Sequence, residues 1–134
     1  MLETRPVGAA IAGLDIGVTT SATASGMAQL TPLHREVVAG LPRLEKQEVR
    51  VLFATLQPGD RTPRHSHRHP VTVYVTEGEF TLDYDGLPSV RTRAGGVVVE
   101  PAGVAMTGHN RGVLPARMVI FFVCAPDEPF ADPA

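Results

Sequence analysis

The sequence has only one cysteine, no tryptophan and few aromatic residues of any kind. A single cysteine, Cys124, excludes an internal disulfide and a zinc site built from several cysteines. Because it lies in the apolar run Met118–Cys124, we expect it to be a buried small side chain rather than a reactive thiol. No apolar run approaches the roughly 20 residues of a membrane-spanning helix, so a membrane partner is not expected.

An excess of charge of one sign is also missing. The chain has 12 basic and 14 acidic residues, a net charge of −2, and its arginines are dispersed. Proteins that bind nucleic acid usually carry a basic patch or stripe, so we expect no nucleic-acid partner. With 43% hydrophobic and 19% charged residues, the 134 positions fit one globular domain with a genuine core.

The first 30 residues lack a periodicity that predicts strand or helix. The segment Val7–Val18 is largely apolar, like the core of an export signal, but Arg5 is the only cation ahead of it and Asp15 interrupts it. We therefore expect residues 1–33 to form an irregular N-terminal arm, with a degenerate leader as the alternative. The first interpretation predicts a cytoplasmic protein and the second an exported one.

From residue 34 onward, short strands alternate with Gly and Pro turns. The clearest alternation runs from Lys46 to Gln57, and the last long strand from Arg117 to Cys124. We expect Val71–Thr76 and Glu79–Tyr84 to form a hairpin around Glu77-Gly78. Further short strands are predicted at Glu36–Ala39, Ser89–Arg93 and Val97–Glu100. This pattern predicts an all-β sandwich or small barrel over residues 34–134, without a long helix.

Three histidines, His65, His67 and His69, occupy alternate positions after the turn at Pro58-Gly59. In an extended strand, residues two apart point to the same face, so His65 and His67 can direct two imidazoles at one metal ion. Taken alone, such a pair is more often an incidental part of a polar surface loop.

The surroundings of these histidines resemble a family motif. In the cupins, the first motif is G, five residues, HxH, three or four residues, E, six residues, G. Gly59, His65, His67 and Gly78 stand at these spacings, but Val71 takes the place of the glutamate.

A second segment resembles the other cupin motif, which is G, five residues, PxG, two residues, H, three residues, N. Gly95, Pro101, Gly103 and Asn110 fit, and Met106 takes the place of the histidine. The segment EPAGVAMTGHNRG followed by IFFV is also similar to a bacterial subgroup of short cupins of unknown function. The resemblance implies a double-stranded β-helix, the RmlC-like jelly-roll barrel of small single-domain cupins.

The family's usual metal site has three histidines and one glutamate facing into the barrel, of which this chain keeps His65 and His67. Met106 would add a thioether and favour copper, or would simply fill the barrel. His69 is a candidate third imidazole, and His109 a weaker one. Three imidazoles would suit zinc, copper, nickel or iron alike. Glu100, at the barrel rim, is a minor candidate to face the cavity.

The sequence therefore predicts a metal-binding cupin that holds a small organic molecule in its barrel, and it leaves open whether the protein is a small metal-dependent enzyme. The alternative is a non-catalytic cupin that binds or senses a small molecule without a tight metal. The resemblance also implies a homodimer, since small jelly rolls often bury an open sheet edge against a partner.

Overall fold

The structure is a computed structural model, and it describes residues 26–134. Most of the predicted arm, with its alternative as a leader, lies outside the described residues. Residues 26–37 belong to one structural unit and residues 38–134 to another. The predicted strand at Glu36–Ala39 is wrong, because this segment is irregular and Val37 is 90% exposed. An unpaired strand without a buried face is not stable in water.

The described residues of the second unit contain nine strands and no helix, all paired antiparallel in two sheets. The strands are β1 Glu48–Leu56, β2 His65–Ser66, β3 Val71–Glu77, β4 Glu79–Tyr84, β5 Val90–Arg93, β6 Val97–Glu100, β7 Met106–His109, β8 Ala116–Cys124 and β9 Asp132–Pro133. One sheet has the order β1-β8-β3-β6 and the other β5-β4-β7-β2-β9. The predicted all-β double-stranded β-helix is confirmed.

The predicted hairpin between β3 and β4 is wrong, although both strands exist. β3 pairs with β6 and β8 in the first sheet, whereas β4 pairs with β5 and β7 in the second. Gly78 between them has φ +71°, and a Cβ there would lie 2.4 Å from the carbonyl oxygen of Pro115. The chain therefore crosses from one sheet to the other at a residue that only glycine can occupy without strain.

The core lies between the two sheets and draws on both. Val71, Val73 and Val75 from β3 are buried beside Phe80 and Leu82 from β4. Alternation along each strand places these side chains on the inner face. The register of the first sheet pairs Val71 with Glu100 on β6, so a carboxylate also faces the core.

The opposite face of the first sheet, here called the outer face, is apolar as well. The register pairs Val51 with Phe121, and Phe121 with Thr72 on β3. Residues paired directly across strands share a face, so this register identifies nine apolar side chains on the outer face. They are Val49, Val51, Phe53, Tyr74, Val97, Val99, Val119, Phe121 and Val123.

Backbone hydrogen bonds hold the two motif segments together. The Gly59 amide donates to the Asn110 carbonyl at 2.9 Å, and the Gly103 amide donates to the His67 carbonyl at 2.8 Å. Gly59 and Gly103 have φ values of +91° and +75°, as the predicted turns require. The two segments that carry the resemblance thus run antiparallel side by side, from Gly59 and Asn110 to His67 and Gly103.

Candidate metal centre

The two histidines of the first motif lie at the edge of a very short strand. His65 is on β2, where it pairs with Met106 on one side and with Pro133 on the other. His67 follows directly after β2 and is 2% exposed. The rings of His65 and His67 approach edge to face with centroids 4.8 Å apart. The convergence predicted from their spacing is present.

A carboxylate completes the group. His65, His67 and Glu100 each offer a ligand atom, and these three atoms lie within 4.8 Å of one another. Glu100 reaches the group from the last position of β6, opposite Val71. A carboxylate therefore lies on the neighbouring strand, directly opposite the position where the first motif has its glutamate. Sequence spacing alone does not reveal this, because it depends on the register between β3 and β6.

Both imidazoles are oriented by backbone carbonyls. The Nδ1 atom of His65 lies 2.7 Å from the carbonyl oxygen of Pro63, and that of His67 lies 2.9 Å from the carbonyl oxygen of Phe130. A carbonyl oxygen only accepts hydrogen bonds, so each Nδ1 carries the proton. The Nε2 atoms are then the nitrogens left to bind a metal, in the arrangement typical of metal-ligating histidines.

The contact between His67 and Glu100 is unusual for a buried pair. Nε2 of His67 lies 2.9 Å from Oε1 of Glu100. Although close, the two atoms are not aligned for a hydrogen bond, and the buried Nε2 makes none within the described residues. A lone pair facing a carboxylate is repulsive. The contact is relieved by a proton held by the pair or by a metal ion that both atoms bind.

Protonation is one way to satisfy this pair. Burial lowers the pKa of His67, while the Glu100 carboxylate and the Phe130 carbonyl raise it by more. The net result is a pKa above the ordinary value of histidine. The metal-free site can therefore hold an imidazolium beside its carboxylate.

A metal ion is the other way, and the donor set fits one. Two nitrogens and a carboxylate oxygen suit zinc, iron, nickel or copper. With bonds of about 2.1 Å, ligands of one ion lie roughly 3–4 Å apart. The ligand atoms, which lie within 4.8 Å of one another, therefore need to approach by up to about 1–2 Å, which side-chain rotation supplies.

The other predicted ligands occupy different surroundings. Met106 is fully buried in the core and lies opposite His65 on β7, so it faces the same side of the sheet. His69 has its Nδ1 atom 2.9 Å from the Gly40 carbonyl oxygen and its Nε2 atom 3.2 Å from Glu128. His69 does not belong to the three-residue group, and metal binding by His69 or Met106 stays a prediction.

His109 and Asn110, at the end of the second motif segment, contact other parts of the barrel rather than the three-residue group. His109 points away from the group and lies 3.2 Å from Asp83. Asn110 is buried, and its amide donates to the carbonyl oxygens of Leu56 and Leu114. This asparagine ties the end of β1 to the loop before β8.

Beside His67 lies a small pocket of about 190 Å³, counted out to its open mouth. Its wall includes Phe122, Cys124, Glu128 and Phe130. Cys124 is buried, as predicted, and burial raises the pKa of its thiol. The predicted role as a small buried side chain is confirmed.

Comparisons with known proteins agree with the architecture. The sequence model of the family described as "Cupin domain" matches residues 52–123, just over half of the chain. Among curated proteins, none matches the chain. Within residues 26–134, no helix combines the length and hydropathy needed to cross a membrane.

Several solved structures share the fold. An uncharacterized conserved protein with a double-stranded β-helix domain from Klebsiella pneumoniae has a TM-score of 0.56 and 23% identity, with 74% of this chain and 90% of that chain covered. The DMSP lyase DddQ from Ruegeria pomeroyi has a TM-score of 0.56 and 17% identity, covering 64% of this chain and 43% of the lyase.

An oxalate oxidase in complex with the substrate analogue glycolate has a TM-score of 0.50 and 28% identity, covering 55% of this chain and 41% of the oxidase. The chain thus spans less than half the length of the lyase and of the oxidase. At these identities the lyase and the Klebsiella protein inform on the fold alone.

Proposed function

Because this chain belongs to the cupin family, we propose that it is a metal-binding cupin in which His65, His67 and Glu100 hold a divalent metal ion. The observation that carries the proposal is the buried Nε2 of His67, 2.9 Å from the Glu100 carboxylate without a hydrogen bond. The Nδ1 protons of both histidines are fixed by carbonyls, which supports the same assignment.

The bound ion would act on a small organic molecule, either by polarising an oxygen atom or by lowering the pKa of bound water. The chain's own contribution is to orient the two imidazoles and to surround the ion with apolar side chains. Met106 and Phe122 are buried beside the site, and Phe130 packs on His67. Apolar walls keep water away from the ligands. Copper would favour participation of Met106, whereas zinc, nickel or iron would not need it.

A cobalt titration tests this proposal. The natural chain, purified without a histidine tag, should bind about one Co²⁺ per chain, seen in its visible absorption. His65→Ala with His67→Ala should abolish binding because two of the three donors are lost. His109→Ala is the matched control, since His109 pairs with Asp83 away from the group. Equal cobalt binding by the double variant would remove these histidines from the site.

A second candidate is a cupin that binds or senses a small molecule without a metal. The raised pKa of His67 favours this second candidate, because a protonated His67 balances the charge of Glu100 without a metal ion. In that case the natural chain and the His65→Ala, His67→Ala chain would both fail to bind cobalt. The site would then recognise its ligand through hydrogen bonds.

We also propose that the protein is a homodimer formed through the outer face. Val49, Val51 and Phe53 are 70%, 61% and 63% exposed, and Phe121 is 40% exposed. From such fractions the outer face offers roughly 600 Å² per copy, so two copies would bury about 1,200 Å² in total, the lower bound of a standard interface. β1 is also an edge strand, and an exposed apolar edge favours self-association.

A further inference from the structure

The last ten residues, 125–134, form a segment here called the C-terminal strap. After β8 the chain reverses in a tight turn, in which the Glu128 amide donates to the Ala125 carbonyl at 3.2 Å. Pro126 and Asp127 are the central residues, and Asp127 has φ +65°, the pattern of a type II turn. The turn sends the strap back across the end of the barrel where His65 and His67 lie.

The strap contacts the two histidines of the candidate metal centre. The carbonyl oxygen of Phe130 accepts the Nδ1 proton of His67, and the Phe130 ring lies 4.8 Å from the His67 ring and 5.0 Å from that of Phe122. At its end, β9 pairs with β2, with Pro133 opposite His65. The strap therefore forms one wall of the site.

Exposed ion pairs fasten the strap to the barrel. Nε of Arg68 donates to Asp132 at 2.9 Å and its Nη2 at 3.0 Å, while Nη1 lies 3.4 Å from Glu128. The Arg68 side chain is 51% exposed, so its ion pairs contribute little each, whereas Glu128 is 11% exposed and also lies 3.2 Å from His69. β9 is only two residues long. The strap can therefore open without disrupting the long strands of the barrel.

The pocket under the strap is too small for most organic ligands while the strap is closed. Its enclosed space is about 10 Å³, enough for about one water molecule, which is far smaller than a site for a drug-sized ligand. Glu128, Pro129 and Phe130 of the strap supply one side of it, and Phe122 and Cys124 of β8 the other. Lifting the strap would enlarge the pocket and uncover the thiol of Cys124.

We propose that the C-terminal strap is the gate of this site: it hinges at Ala125–Glu128, is held shut by Arg68, and admits the metal ion and the small-molecule ligand when it opens. The role of the gate in metal exchange rests on the proposed function, whereas its control of the pocket does not. This difference allows the two proposals to be tested separately.

The thiol of Cys124 reports on the gate without any metal, because it is the only cysteine in the chain. We expect a small thiol reagent to label Cys124 about five- to tenfold faster in Arg68→Gln than in the natural chain. This is the effect of lowering the free energy that holds the strap closed by about 1 kcal/mol. Phe130→Ala should accelerate labelling as well. Arg68→Lys, which keeps the charge but loses the two-pronged contact, should give an intermediate rate.

The matched control is Arg111→Gln, which removes an equally exposed two-pronged contact, with Asp83, away from the strap. It should label at the natural rate. Circular dichroism of each variant confirms the barrel. Unchanged labelling in both Arg68→Gln and Phe130→Ala would overturn the gate, whatever the metal content.

A second experiment tests metal exchange by following the release of zinc from the protein to a coloured chelator. Arg68→Gln should bind as much zinc as the natural chain and release it about five- to tenfold faster. Equal release rates together with fast Cys124 labelling would overturn the gate's role in metal exchange. Absence of zinc binding in the natural chain would instead overturn the proposed metal site, while accelerated labelling would still support the gate of the pocket.

Discussion

At the scale of single residues, the central feature is a carboxylate on an unexpected strand. Val71 stands where the first cupin motif has its glutamate, and Glu100 lies directly opposite on β6. Side chains paired across an antiparallel ladder are about 5 Å apart on the same face, so either position can direct a carboxylate at the same point. We infer that Glu100 replaces the missing motif residue.

An exchange of the two side chains tests this inference. Glu100→Val alone should weaken metal binding by at least about 10- to 100-fold. Loss of a residue that only hydrogen-bonds to a metal ligand already has an effect of this size. Val71→Glu combined with Glu100→Val should restore most of the affinity, because the carboxylate returns to the same face. Metal affinity is measured by competition with a chelator. A double variant as weak as Glu100→Val would contradict the equivalence of the two positions.

The pair of His67 and Glu100 also predicts a pH dependence for the metal-free protein. The folded-state pKa of His67 is raised, so the pair stabilises the fold fully below the unfolded pKa of about 6.5. This contribution is lost as the pH rises through the folded pKa.

Urea unfolding across this pH range measures the effect. The difference in unfolding free energy between the natural chain and Glu100→Gln should shrink as the pH rises above about 6.5. Glu77→Gln is the control, because the Glu77 side chain is 62% exposed. A difference that stays constant with pH would mean that His67 remains neutral.

Part of the site was predictable from these residues and part was not. The spacing of His65 and His67 predicted their convergence, because strand alternation depends on local geometry alone. Glu100 was only a minor candidate, since its place depends on which strand pairs with β3 and in which register. The contact between His67 and the Phe130 carbonyl was not predictable, because the two residues are 63 positions apart and such a contact leaves no local sequence signal.

At the scale of strands, the crossing between the two sheets depends on Gly78. The sequence predicted a hairpin here, since Glu77-Gly78 between two alternating segments is a usual turn pattern. The structure instead carries β3 and β4 into different sheets, with Gly78 close to the Pro115 backbone. Local turn chemistry does not distinguish a hairpin from a crossing.

Gly78→Ala should therefore be strongly destabilising. Its Cβ would lie 2.4 Å from the Pro115 carbonyl oxygen, in addition to the strain of φ +71°. Gly95→Ala is the matched control, because its φ is +88° but nothing lies within 4 Å of the added Cβ. We expect Gly78→Ala to lose about 2–3 kcal/mol more than Gly95→Ala in urea unfolding. Equal losses would show that backbone strain alone matters at both sites.

The long strands were easier to predict than the short ones. The predicted segments Lys46–Gln57 and Arg117–Cys124 agree with β1 and β8 to within two residues at each end. In contrast, β2, β7 and β9 were not predicted, because strands of two to four residues carry little periodicity. Such strands exist only through pairing with their neighbours, which for β2 are β7 and β9.

At the scale of the whole molecule, the first sheet is apolar on both faces. Its inner face closes the barrel, and its outer face exposes Val49, Val51 and Phe53 on the edge strand β1. A long apolar edge strand invites pairing with another chain. The homodimer proposed above would cover it.

Phe53→Lys should prevent this association, because a buried lysine at a two-fold interface would face its own copy. The molar mass measured by light scattering should fall from that of two chains to that of one. Val113→Lys is the control, since Val113 is 90% exposed but lies off the outer face. A natural chain that is already monomeric at micromolar concentration would contradict the interface.

The metal centre is the central claim, and elemental analysis of the protein purified without a tag or chelator tests it most directly. We predict about one zinc, copper, nickel or iron ion per natural chain and none in His65→Ala with His67→Ala. Copper would implicate Met106, and Met106→His should then shift the preference towards zinc. A metal-free natural chain, together with a Met106→His chain that does hold metal, would contradict the claim and show that Met106 closes the site.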